Sequence, residues 1–320
     1  MLGVLDSTRR VMDRAWNVAI DHQAVDALAA RLADRGAEAP EWRVWPHWWP
    51  EEPDSPRAAD YVLVLDALNF CFWGEPRWRV EYGGQLLDGY WALAACLRRA
   101  LEAGIPLLDP AYLVACDESA ARALFAGQHE IPLLEARIAH LREVGQGIRD
   151  AGGSFAHVVA AAGGSGERLV QEVARRFPSF DDTATYDGQP VAFYKRAQIL
   201  VSDLHGIYHG QGLGAFDDLD RLTAFADYKI PQVLREAGIL VYSPSLAETV
   251  DRQQLIPPGD PREVEIRAGT IWGCELLRQA LERRRPGPPM RAFEVDWLLW
   301  SDAQGRAIKK PYHRTRTIYY

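Results

Sequence analysis

Apolar positions recur at intervals of three and four along most of the chain, the spacing of one face of a helix. Between His22 and Arg35 they fall at Val25, Leu28, Ala29 and Leu32, and Gly36 stands where a C-terminal cap belongs. The same spacing predicts helices over 91–103, 118–126, 132–149 and 167–177, punctuated by Gly104, Gly152-Gly153 and Gly163-Gly164. Pro190, a good first-turn residue, predicts the longest helix, running to about Tyr208. Phe193, Ala197, Leu200, Val201 and Leu204 form its buried face, with Lys195, Ile199 and Asp203 along a neighbouring stripe. A short helix is expected over 217–225. The next opens at Pro231, which should leave Ile230 extended and make 226–230 a joint. A last helix over 263–284 stops at Pro286, Pro288 and Pro289.

Three stretches depart from this pattern. Tyr61 to Trp73 is almost continuously apolar, a buried strand or a buried helical turn that periodicity cannot separate. Trp78, Val80 and Tyr82 alternate with Arg77, Arg79 and Glu81 ahead of Gly83-Gly84, which predicts a β-hairpin returning over 85–90. Residues 37–60 hold Pro40, Pro46, Pro50, Pro53 and Pro56 among Trp42, Trp45, Trp48 and Trp49, an irregular connector whose indoles need cover. The fold class expected is mainly α with a minor β-hairpin. Residues 1–60 read as N-terminal helices and connector, and 61–320 as the helical body.

Composition narrows the function. The 320 residues are 48% hydrophobic and 25% charged, as in an ordinary globular protein. Lys plus Arg is 36 against 44 Asp plus Glu, a net charge of −8, which argues against a nucleic-acid polymer as the main partner. Cys71, Cys96, Cys116 and Cys274 lie too far apart for a paired-thiolate site, and buried thiols in the cytoplasm are the simplest reading. The first residues lack the order of a secretory signal, and no apolar run is long enough for a membrane span. A soluble, cytoplasmic protein with no membrane partner is expected.

Several motifs can be weighed on their chemistry. Gly210, Gly212 and Ala215 spell a dinucleotide fingerprint, but a helix precedes them, so a helix-capping loop fits better. His205 and His209 stand four apart without a third ligand in the sequence nearby, and no metal is expected. Asp227 lies just before a helix start, whose exposed N–H groups favour an ionised carboxylate; a plain cap or an ion pair with Lys229 or Arg235 reads as well. Asp203 could pair with Lys195 or Arg196. Phe70, Phe72 and Trp73 beside Asn69 could stack on a planar heterocycle or simply fill the core. Lys309 to Tyr320 mixes cations with aromatics, so a docked tail could place His313 or Arg314 on a phosphate monoester, or form a surface patch.

Six segments together carry a resemblance. They are Leu68-Asn69-Phe70-Cys71-Phe72-Trp73, Gly89-Tyr90-Trp91, Phe193 to Val201, Thr223 to Leu234, Glu263 to Arg267 and His313 to Tyr320. In this order they resemble the queuosine salvage proteins, queuosine 5′-phosphate N-glycosylases that release queuine from its nucleotide. That family is similar in architecture to helix-hairpin-helix DNA glycosylases, so the resemblance implies a helical DNA-glycosylase-like body with Asp227 as the catalytic carboxylate. It implies a small-molecule nucleotide, queuosine 5′-monophosphate, as partner and no cofactor; a monomer is expected. Substrate contacts would come from Phe70, Phe72, Trp73, Tyr228, Lys195, His313 and Arg314, with Asp203, Glu265 or Asp296 reading the cationic amine of queuine. His47 is carried over from the loosely matching first 60 residues. The family's acidic residue after the tryptophan near 300 is Ser301 here, so Asp302 receives no role. A non-catalytic binder of a modified nucleotide or base, or a nucleic-acid base glycosylase, are the alternatives.

Overall fold

A computed structural model describes residues 2–43, 55–285, 287–304 and 306–320. The chain is mainly helical, with two-stranded antiparallel sheets as its β-structure among those residues. It divides into two compact units that interleave in sequence. The first comprises Met1–Pro40, Asp182–Gln198 and Asp218–Thr317; the second comprises Glu41–Asp181, Ile199–Asp217 and Ile318–Tyr320. Residues 2–40 fall in the first unit, and residues 41–43 and 55–60 in the second.

The first unit is organised around the longest helix, Pro261–Glu282. Asp260 caps it by accepting the N–H of Arg262 at 2.9 Å, and Pro261 sits in the first turn, where no amide is needed. It is buried on almost every side from Glu263 to Cys274, because Val4–Met12, His22–Asp34, Lys229–Glu236 and Ala292–Gln304 pack around it. Gly269 lets this crowd close in. A Cβ there would stand 3.0 Å from Val18 and 3.3 Å from Leu240, so the short sheet of Val18–Ile20 and Leu240–Tyr242 lies directly on the helix backbone. Val25, Ala29, Leu32, Leu234, Ile266, Leu277 and Val295 fill the core between them. Each such aliphatic side chain, fully buried, contributes about 1.5–3 kcal/mol.

Three expectations in this unit are corrected. The helix begins at Lys195, since Gln189–Ala192 is a strand paired with Thr183–Tyr186. The two-residue turn Asp187-Gly188 has φ of 48° and 73°, the doubly left-handed geometry of a hairpin, and Pro190 takes an edge position that costs the ladder no donor. Residues 217–225 hold a single 3₁₀ turn, Leu219–Arg221, with the remainder irregular. Ile230 is helical, because Lys229–Glu236 starts two residues ahead of Pro231, still within the first turn where proline's missing N–H is not missed.

In the second unit, Pro56–Ala67 is a helix that ends before Leu68, which settles the nature of the apolar run. Every residue from Ala58 to Ala67 is buried, the signature of a helix covered all round. The hairpin Arg79–Tyr82 with Gln85–Asp88 forms as expected, and Gly89 already opens the helix to Glu102. Trp78 beneath it donates its indole N–H to Phe125 O at 3.0 Å. Trp42 finds its cover on Gly206, where a Cβ would come within 2.5 Å of the ring. His47 lies outside the described residues. Among those residues no helix is long and apolar enough to cross a membrane.

Candidate active site

The candidate catalytic group lies in the first unit, at the joint ahead of Lys229–Glu236. Asp227 Oδ1 accepts the N–H groups of Lys229 and Ile230, each at 2.8 Å. The capping role is therefore real, and it also makes a positive cradle for the charge. The side chain is half-buried. Desolvation raises its pKa, while the charge of Lys195 and the two amides pull the other way.

Asp296 comes from the Ala292–Gln304 helix, is 4% exposed, and accepts the N–H of Phe225 through Oδ2 at 2.8 Å. It is pushed well above the ordinary carboxylate range, first by burial and then by the negative charge of Asp227. Two carboxylates in unequal environments thus share one neighbourhood, and the upward push is the stronger on Asp296. Lys195, the first residue of Lys195–Ile207, is buried and acts on both. The segments meet through Gln198, whose Nε2 donates to Phe193 O at 2.8 Å and whose Oε1 accepts the N–H of Thr223 at 2.8 Å. Cys274 adds a thiol that burial and both carboxylates hold protonated.

The remaining expected residues of this unit fall around the joint and the C-terminal segment. Tyr228 packs against Tyr312 with ring centroids 5.1 Å apart. His313 is 1% exposed, and burial together with the nearby Arg267 pushes its pKa down to about 3, so it is a neutral imidazole and not a cation. Arg314 is half-buried and donates to Gln253, while its carbonyl accepts the N–H of Ile256 at 2.8 Å. Glu265 is saturated by structure: its oxygens accept Asn17 N–H at 2.7 Å, Asn17 Nδ2 at 2.9 Å, Val18 N–H at 3.1 Å and the Tyr186 hydroxyl at 3.0 Å.

In the second unit, Phe70, Phe72 and Trp73 are buried in the turn that follows Pro56–Ala67. Arg137, fully buried, donates to the carbonyls of Leu68 at 2.5 Å, Phe70 at 2.6 Å and Cys71 at 3.2 Å. Its guanidinium stands 4.3 Å from the Phe70 ring centroid, with His140 4.9 Å from that ring. Phe72 stacks on Trp78 at 6.4 Å. Asp203 is buried in the same unit, and its charge with that of Asp66 adds to the effect of burial in raising the hydroxyls of Tyr61 and Tyr90. Asp66 and Arg137 have no place in the reading of the sequence, and Tyr61 and Tyr90 lay inside named segments without a role.

The histidine spacing dissolves in the structure. The helix ends at Ile207, so His209, at φ 51°, does not share a helical face with His205, whose ring meets Gly214 O at 3.0 Å. Among the described residues no cluster of His, Cys, Asp and Glu is arranged to hold a metal ion.

A mainly helical chain thus brings two carboxylates, Asp227 and Asp296, and a buried lysine, Lys195, into one neighbourhood. The sequence profile described as queuosine salvage protein matches residues 49–320, and the chain belongs to that family. It is 55% identical over 322 residues to a protein of Sphaerobacter thermophilus named queuosine 5′-phosphate N-glycosylase/hydrolase, covering 100% of this chain and 98% of the relative. A protein of the same name from Mus musculus is 37% identical over 334 residues, covering 98% of each. A third from Schizosaccharomyces pombe is 34% identical over 289 residues, covering 82% of each.

Proposed function

We propose that this protein hydrolyses the N-glycosidic bond of queuosine 5′-phosphate, releasing queuine, with Asp227 as the residue that carries the chemistry. The observation behind the choice is the pair of amides that Asp227 Oδ1 accepts, with the charge of Lys195 favouring its ionised form and burial pushing the neighbouring Asp296 further toward its protonated one.

Cleavage breaks the bond from ribose C1′ to the ring nitrogen of the base and builds positive charge on the sugar. The nitrogen leaves with the bonding pair; water supplies hydroxyl to C1′ and a proton to the base. Both amide bonds to Asp227 fall on Oδ1, which leaves Oδ2 to face the developing charge and to orient the water. Because queuine is a 7-deazapurine, it has no N7 to protonate, and assistance has to come at another acceptor. Asp296, with its proton, is suited to donate there and less suited to bind the cationic amine of queuine.

Lys195 keeps Asp227 ionised in this reading, and its expected part on the 5′-phosphate stands as a proposal beside it. The roles that the resemblance implies for Tyr228, Arg314, Phe70, Phe72, Trp73, Asp203 and His47 rest on that resemblance alone. For His313, a neutral ring leaves hydrogen bonding as its means of meeting a phosphate. The net charge of −8 supports a small anionic ligand in a local pocket over a nucleic-acid polymer, and a cytoplasmic monomer remains our expectation.

The test is incubation with queuosine 5′-monophosphate in ¹⁸O-labelled water, with mass detection of both products. Free queuine with one label on the ribose 5-phosphate is the expected result. Bound but unchanged nucleotide after long incubation would leave a binding protein, and turnover without label would exclude hydrolysis.

A further inference from the structure

Lys195 and Asp227 stand in segments 32 residues apart in number, and a buried ion pair ties the backbones of the two segments together. Asp182 is 1% exposed and Arg267 is 2% exposed. The guanidinium meets both carboxylate oxygens, Nη1 to Oδ1 at 2.9 Å and Nη2 to Oδ2 at 2.5 Å. Arg267 Nε donates to the carbonyl of Ala226, the residue before Asp227, at 3.1 Å. Asp182 Oδ2 accepts the N–H of Lys195 at 3.1 Å, and its backbone carbonyl accepts Phe193 N–H at 3.0 Å and Tyr194 N–H at 3.1 Å.

The backbone between them needs such a hold. Tyr194 takes φ 48°, a left-handed conformation that is uphill for an aromatic residue, at the point where the hairpin turns into the Lys195 helix. The Phe193 ring lies under Arg267 at 3.8 Å from its guanidinium carbon, so the same side chain also covers the turn. Glu263, one turn back on the Pro261–Glu282 helix, is 3.6 Å from Arg267 and adds a second carboxylate. A hydrophobic pair of equal volume could fill this space at comparable stability. It could not hold an amide and a carbonyl of two separate segments in fixed register.

We infer that Asp182 and Arg267 are positioning residues for the reaction, setting the placement of Asp227 against Lys195. This rests on the reading of Asp227 given above. Neither residue touches the substrate in this role; each acts through the backbone that carries a working group. Displacing a reacting group by about 1 Å costs on the order of 100-fold in rate.

The experiment uses Arg267→Lys and Asp182→Glu in the full chain, with kcat and KM for queuosine 5′-monophosphate measured per folded molecule. Both variants keep the charges of the pair, and the fold of each is checked by circular dichroism and its melting temperature. A lysine ammonium cannot span both carboxylate oxygens and Ala226 O together, and glutamate moves the carboxylate by one methylene. The expected result is kcat lowered about 10- to 100-fold in each, with KM within about threefold of the parent. If kcat stays within about twofold while the melting temperature falls, the pair is structural only and the inference is overturned. Asp227→Asn, run alongside, separates the two levels. Full activity in that variant removes the reading of Asp227 and the inference with it, whereas its inactivity with normal Arg267→Lys turnover removes the inference alone.

Discussion

Asp296 accepts the backbone N–H of Phe225 at 2.8 Å, two residues ahead of Asp227, so the second carboxylate of the pair holds the segment that presents the first. The Phe225 and Phe293 rings stack with centroids 6.5 Å apart, and Phe225, Phe293 and Asp296 are all buried. The shape of the joint and the proton on Asp296 are therefore coupled: an ionised Asp296 accepts more strongly, but faces the charge of Asp227 across a dry environment.

Asp296→Asn separates these two functions. The amide oxygen still accepts from Phe225, so the joint stays in place, while the transferable proton is lost. Release of queuine should fall about 100-fold or more, within the range that general acid catalysis contributes, with little change in KM. Steady-state kinetics by chromatographic detection of queuine checks it; near-parental kcat would remove Asp296 from the chemistry.

The same variant tests the electrostatics through stability. A carboxylate whose folded pKa is raised contributes stability below its unfolded pKa, and this is lost as pH rises through the folded value. The groups facing Asp296 are Asp227, Lys195 and the neutral thiol of Cys274. Parent and variant should therefore melt at similar temperatures near pH 4, and the variant should gain on the parent as pH rises toward 8. A difference that is flat across that range, in thermal melts followed by circular dichroism, would contradict a buried protonated Asp296.

His313 is held neutral with its pKa pushed down to about 3. Its imidazole signals in a ¹⁵N-edited NMR titration should stay those of the uncharged ring from pH 5 to pH 8. A midpoint near the ordinary value of about 6.5 would show that the ring meets solvent and is available as a cation.

Glu265→Ala addresses a residue first read as a possible contact for the substrate. Four donors lose their acceptor at once, in a site with no exposure. Loss of about 3 kcal/mol or more of stability is expected, since buried donors left unsatisfied cost about 1–3 kcal/mol each and relax in part. Denaturant unfolding measures it. Turnover per folded molecule should be retained if Glu265 is purely structural.

Much of this was legible along the chain. Asp227 stood out because Pro231 marks a helix start and a carboxylate just before one has a physical reason to be ionised. The helices at His22, Glu118, Leu134 and Gly166 followed from apolar spacing and glycine stops. The second hairpin was written in Asp187-Gly188 but obscured by Pro190, which serves a helix start and an edge strand equally well. The partnership of Asp182 with Arg267 was not legible at all. The two are 85 residues apart, and each alone looks like an ordinary solvated charge until tertiary packing buries it. Asp203 and Lys195 read as a stripe beside the apolar face of their helix, and both are buried.

The most direct measurement is single-turnover release of queuine from queuosine 5′-monophosphate by parent and Asp227→Asn, with calorimetric binding of the same nucleotide to each. The asparagine keeps an oxygen for the Lys229 and Ile230 amides and removes the charge. Comparable binding with release slowed about 1,000-fold or more is the predicted result, the size of loss seen when a preorganised electrostatic group is removed from a transition state. Release by the variant at the parental rate would contradict it and leave Asp227 as a helix cap.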